Sequence, residues 1–168
     1  MSETFVAILM GSDSDLPVMQ ATMDVLTTLH VPFEVKITSA HRTPAATHHY
    51  VSDAESRGCG VFIAAAGLAA HLAGTVAGLT LKPVIGVPLD AGPLQGMDSL
   101  LSTVQMPGGI PVACVAIGKA GAKNAAYLAA QILAQSDTAI ADRLRAERTS
   151  NADAVIAKDA ELQKSLAP

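Results

Sequence analysis

The sequence predicts an α/β sandwich in which one parallel sheet lies between two layers of helices. Three observations carry this. Short, wholly apolar runs recur along the chain and suit strands buried on both faces. Segments of helical character separate them, which makes the strands parallel. Glycine, hydroxyl and charged residues collect directly after the apolar runs, where the strands would hand over to helices.

The first strand is Phe5 to Met10, stopped by Gly11. A helix starts near Asp15-Leu16-Pro17, with proline in its first turn, and runs to about Leu29. Phe33 to Thr38 alternates as a second strand. Thr43-Pro44 starts the next helix, threonine as N-cap and proline in first position, and Gly58 ends it. Gly60 to Ala66 is the third strand, and a helix is expected from about Ala69 to Leu79. Pro83 to Pro88 encloses the fourth strand. Residues 90–97 form a glycine- and proline-bearing loop, followed by a short helix from Asp98 to about Val104 and a turn at Pro107-Gly108-Gly109. Pro111 to Ile117 is the fifth strand and Ala122 to Gln135 a largely apolar helix. A charged helical tail, Asp137 to Leu166, is capped at Ser136-Asp137. Right-handed crossovers then give a three-layer, flavodoxin-like fold with strand order 2-1-3-4-5 and a C-terminal helical extension.

Composition narrows the function classes. Half of the 168 residues are hydrophobic but only 3% are aromatic, so no platform exists for stacking bases and nucleic-acid binding is not expected. A formal charge of −4 without any basic run gives no field for a polyanion or an acidic membrane. Cys59 and Cys114 lie far apart in apolar runs and read as buried, reduced thiols. No Cys or His cluster has zinc spacing. The start, MSETFVAILMGS, lacks a basic segment and does not read as a signal peptide, and no stretch reads as a membrane span. A soluble, cytoplasmic protein is expected. The 122–135 helix is apolar nearly all round, which predicts burial against other subunits; cover by the chain's own tail is the alternative.

Ligands of open α/β sheets bind beyond the carboxyl ends of the strands. After the first strand come Gly11-Ser12-Asp13-Ser14-Asp15, whose amides and hydroxyls suit an anion and whose Asp15 suits sugar hydroxyls. Helix capping by Ser14 or Asp15 is the simpler use. After the second come Ser39-Ala40-His41-Arg42: arginine offers a rigid fork for phosphate, and histidine exchanges protons near neutral pH. After the third come Gly67-Leu68-Ala69-Ala70-His71-Leu72, where small residues permit close approach of a ligand. Lys119, in Gly118-Lys119-Ala120-Gly121, faces an anion or caps a carbonyl. His30, His48 and His49 read as solvent-facing, and the 90–97 loop as a candidate lid.

The motifs GSDSD, SAHRTP, AAHL, VIGVPL, DSLLSTVQMPGGIPV and IGKAGAKNAAYLAAQIL, in this order, resemble the bacterial N5-carboxyaminoimidazole ribonucleotide mutase family over residues 5–136. The resemblance implies a homo-octamer that converts N5-carboxyaminoimidazole ribonucleotide to 4-carboxy-5-aminoimidazole ribonucleotide without a metal or organic cofactor. It implies a catalytic domain over residues 1–136, with 137–168 as a helical extension packing on the same domain or a neighbouring subunit. His41 and His71 would be catalytic. Gly11, Ser12, Asp15, Ser39, Ala40, Arg42, Gly67 and Leu72 would bind the ribonucleotide. The family pattern has Gly-Gly before Ala-Ala-His and proline after the leucine; this chain has Gly67-Leu68 and Ala73.

The nearest alternative is a related class that carboxylates aminoimidazole ribonucleotide with free carbon dioxide. That class tends to carry lysine at the Arg42 position and to lack AAHL. A non-enzymatic nucleotide-binding module is the third reading. A phospho-receiver would need a carboxylate at the end of the third strand, where Ala64-Ala65-Ala66-Gly67 stands. A flavin carrier would need aromatic residues, and no GxGxxG fingerprint is present.

Overall fold

A computed structural model describes residues 4–167. Met1 to Glu3, the start of the stretch read above as no signal peptide, and Pro168 lie outside the described residues. The sheet has five strands in the order β2-β1-β3-β4-β5: β1 (Phe5–Met10), β2 (Phe33–Ile37), β3 (Cys59–Ala66), β4 (Val84–Pro88) and β5 (Ala113–Cys114). Every pairing is parallel.

The apolar runs are apolar because both faces are covered. All six residues of β1 are buried. Val6, Ile8 and Met10 point into one core, and Phe5, Ala7 and Leu9 into the other, as a period of two requires. The first core lies under α1 (Leu16–Thr28) and α5 (Gly118–Leu133). The second lies under α2 (Pro44–Ser56) and α3 (Leu72–Ala77). Ala122, Ala125, Ala126, Ala129 and Ala130 of α5 are fully buried. Their small side chains let α1 approach closely, and Thr22 donates a 2.7 Å hydrogen bond to the Ala122 carbonyl across that contact.

Four elements differ from the sequence expectation. The helix expected from Ala69 begins only at Leu72, because Leu68 has φ 56° and the Ala70 N–H is taken by Ser102 Oγ at 3.0 Å. The fifth strand is two residues long rather than seven. It is an edge strand with one neighbour, and Pro111 at its expected start has no N–H to offer. Helix α5 starts a turn early, so Gly118-Lys119-Ala120-Gly121 is helix and not loop. Gly121 is there for close approach: a Cβ on it would lie 1.6 Å from the Ala116 carbonyl oxygen. Thr43 precedes α2 but makes no side-chain cap.

The tail is one helix, α6 (Thr138–Leu166), capped by Asp137, which accepts from the N–H groups of Ala139 and Ile140. Ile140 and Leu144 pack on the first core, Arg143 Nε donates to the Leu29 carbonyl at 2.6 Å, and Tyr127 of α5 hydrogen-bonds Glu147. The chain's own tail therefore covers part of α5, which was expected to be buried by other subunits. The rest of the α5–α6 seam is an open groove of about 820 Å³ lined by Asn124, Leu128, Gln131 and Arg148 among others. From Asn151 to Ala167 every residue is exposed.

Candidate active site

The loops after β1, β2 and β3 meet in one cleft of about 410 Å³. It lies where the strand order reverses, since the chain runs from β1 to β2 on one side and then crosses back past β1 to β3 on the other. Gly11, Ser12, Asp15, Ser39, Ala40, His41, Arg42, Gly67, His71 and Leu72 all line it. The residues that the resemblance implies for catalysis and substrate binding thus face a shared space within one chain.

The first loop is a single 3-10 turn, Asp13–Asp15, with a reciprocal cap. Ser12 Oγ accepts from the Ser14 N–H at 3.3 Å, and Asp15 Oδ2 accepts from the Ser12 N–H at 3.1 Å. The capping residue is Ser12, with Asp15 as its partner, rather than Ser14 or Asp15 alone. Burial pushes the Asp15 carboxyl above its ordinary value, and its hydrogen bonds from the Ser12 and Gly11 amides oppose this.

The second loop is held by hydroxyls. Thr43 Oγ1 accepts from the Ser39 N–H at 2.9 Å and donates to the Ser39 carbonyl at 3.2 Å. This closing of the turn uses the hydroxyl that a helix cap would need. Beneath it Thr38 and Thr47 hydroxyls are 2.7 Å apart. Ser39 Oγ accepts from the Arg42 N–H at 3.1 Å, and Arg42 Nη2 donates to the Gly11 carbonyl at 3.1 Å. Arg42 therefore bridges the second loop to the first, with the remaining guanidinium donors available to an anion.

The third loop brings His71 to the second. His41 Nε2 lies 2.7 Å from His71 Nδ1, with the rings edge-on at 81°. Among the residues lining the cleft, Arg42 is the sole permanent cation and Asp15 the sole carboxylate. That pairing suits a ligand with an anionic group and hydroxyls. Sequence reasoning did not assign Ser14, Ala66, Leu68, Ala69 and Ala91, which also line the cleft. Ala91 sits in the 90–97 loop, whose glycines were the signal for it.

Lys119 lies exposed on α5 and does not line the cleft. His30, His48 and His49 are exposed, as expected. Cys59 is buried and free, with burial raising its thiol to about 11, and Cys114 is free and half-buried. Among the described residues no group of three or more His, Cys, Asp or Glu is placed to hold a metal ion. Among the described residues no helix is long and apolar enough to cross a membrane.

Fold and site together define a flavodoxin-like α/β protein with a histidine-bearing cleft at its topological switch point. The chain belongs to the AIR carboxylase family, whose profile matches residues 5–154. It is 54% identical over 159 residues to the N5-carboxyaminoimidazole ribonucleotide mutase of Synechocystis, covering 95% of this chain and 89% of that one. The Escherichia coli protein of the same name is 52% identical over 151 residues, covering 90% of this chain and 89% of that one. The crystal structure of Treponema denticola PurE superposes with a TM-score of 0.87 at 32% identity, covering 95% of this chain and 99% of that one.

Proposed function

We propose that the protein is an isomerase of purine biosynthesis that converts N5-carboxyaminoimidazole ribonucleotide to 4-carboxy-5-aminoimidazole ribonucleotide. The observation that carries this reading is the His41–His71 hydrogen bond in the same cleft as Ser12, Ser39 and Arg42. The relatives named N5-carboxyaminoimidazole ribonucleotide mutase support it.

The phosphate is held by the Arg42 guanidinium with the Ser12 and Ser39 hydroxyls, and the ribose hydroxyls by Asp15. Gly11, Ala40, Gly67 and Leu72 form the walls. This places the heterocycle beside His41. The bond from the exocyclic nitrogen to the carboxyl carbon breaks, its electron pair returns to nitrogen, and carbon dioxide is released. His41 supplies the proton that nitrogen takes up. The ring carbon then attacks carbon dioxide, and the proton displaced from that carbon returns to His41. His71, on the far side of the shared hydrogen bond, fixes the tautomer of His41. No electrons or protons are consumed overall, so the task is to hold two fragments together and away from water.

In this reading residues 1–136 are the catalytic unit and 137–168 a helical extension. The protein is a cytoplasmic homo-octamer with a small ribonucleotide as its partner. The exposed Val155, Ile156, Leu162 and Leu166 of α6 support packing of the distal tail on a neighbouring subunit. Sedimentation at micromolar concentration tests the assembly. Incubation of purified protein with N5-carboxyaminoimidazole ribonucleotide tests the activity. Carboxyaminoimidazole ribonucleotide should form without added bicarbonate; activity only on aminoimidazole ribonucleotide plus bicarbonate overturns the reading.

A further inference from the structure

Leu68 is the oddest residue of the cleft. It is a bulky L-residue at φ 56°, in the left-handed region that glycine or asparagine usually takes, and the residue is 52% exposed. Neither burial nor backbone preference accounts for a leucine there. Its neighbours do. A Cβ on Gly92 would lie 2.4 Å from Leu68 Cδ2, so the leucine rests directly on the Gly92 backbone. One residue earlier the relation is inverted: a Cβ on Gly67 would lie 2.6 Å from Ala91 Cβ. The two loops thus interlock, a side chain of each seated on a glycine of the other.

Both loops are tied to α4 (Met97–Val104) behind them. Ser102 Oγ accepts from the Ala70 N–H at 3.0 Å, and Ser99 Oγ donates to the Leu89 carbonyl at 2.7 Å. Leu68 and Ala91 line the cleft on this side, and His71 follows three residues later in the same loop.

We propose that Leu68 is a positioning residue, whose side chain latches the 90–97 loop onto the loop carrying His71 and seals that wall of the cleft. This rests on the mutase reading for its chemistry, because carbon dioxide freed from nitrogen must stay until the ring carbon captures it. The left-handed backbone at Leu68 aims the side chain at Gly92 and turns the chain toward His71. The seal raises the fraction of carbon dioxide captured rather than lost to solvent.

The test uses the full chain and the variants Leu68→Gly and Leu68→Met. Glycine accepts the backbone conformation and removes the latch; methionine keeps an apolar reach. Each protein is given N5-carboxyaminoimidazole ribonucleotide in 13C-bicarbonate buffer, and label in the product carboxylate is read early in the reaction. We expect little label with wild type, and roughly tenfold more label with kcat roughly tenfold lower in Leu68→Gly, as small misplacements at a reacting centre cause. Leu68→Met should restore most of both. Wild-type label and kcat in Leu68→Gly would overturn the proposal, as would a Leu68→Met variant impaired equally. Amide hydrogen exchange over residues 90–97 reads the latch without substrate and should quicken in Leu68→Gly. Were wild type inactive on the nucleotide, the mutase reading alone would fall, and unchanged exchange would still overturn the latch.

Discussion

His41 Nε2 and His71 Nδ1 stand 2.7 Å apart, contributed by loops that follow different strands. Only one hydrogen fits between them. When His41 carries it, His71 must present a bare Nδ1; when His71 carries it, His41 Nε2 is bare. The protonation of either ring is therefore written in the tautomer of the other. An imidazole that must give a proton and then take one back is served by such a partner.

Replacing His71 tests that partnership. The amide of Asn stands near the position of Nδ1 and retains a hydrogen bond to His41. We expect His71→Asn to lose roughly tenfold in kcat and His71→Ala roughly a hundredfold, within the range of general acid–base effects. KM should move less in both. Equal losses in the two variants would show that the hydrogen bond is not what matters.

His41→Asn should fold and bind the product nucleotide while losing on the order of a thousandfold in kcat. Calorimetric titration with product and steady-state rates on the same preparation provide the check. Near-normal turnover would remove His41 from the proton-transfer role.

Arg42→Ala should act chiefly on KM. A hydrogen bond to a charged group is worth about 1.5–3 kcal/mol, so KM should rise roughly ten- to a hundredfold with a smaller change in kcat. Arg42→Lys should recover little, because lysine lacks the fork that holds both the Gly11 carbonyl and an anion.

Asp15 makes a pH prediction. Burial raises its carboxyl above the unfolded value, so folding favours the protonated form. Its contribution to stability is full below the unfolded pKa and is lost as pH rises through the folded pKa. Ionised Asp15 therefore costs stability at neutral pH. Asp15→Asn keeps an acceptor for the Ser12 N–H and removes that charge. Its Tm should equal or exceed wild type at pH 7, with the difference shrinking as pH falls through the carboxylate range. Binding of the ribose should weaken. Thermal melts across that range check the first claim and a KM measurement the second.

The parts legible in the sequence share one cause. Phe5 to Met10 and Gly60 to Ala66 read correctly because a strand buried on both faces must be apolar at every position. Gly11 to Asp15 and Ser39 to Arg42 stand out in the sequence as polar residues directly after such strands, and both loops border the one cleft. Long-range geometry left no such mark. Thr43 looks like a cap in any local pattern, and only the fold turns its hydroxyl back to Ser39. Gly121 reads as a loop former, yet it serves close packing inside a helix. The short fifth strand reflects its edge position, which composition does not report. The His41–His71 bond spans 30 residues; the sequence puts two histidines after strand ends but carries no sign of the hydrogen bond between them.

The central claim is that three strand-end loops hold one sugar-phosphate with an imidazole beside its heterocycle. A crystal structure with 4-carboxy-5-aminoimidazole ribonucleotide bound measures this most directly. The account predicts the phosphate on Arg42, Ser12 and Ser39, the ribose hydroxyls on Asp15, and the ring carboxylate carbon within reach of His41. A nucleotide bound in the α5–α6 groove, or one whose heterocycle points away from His41 toward solvent, would contradict it.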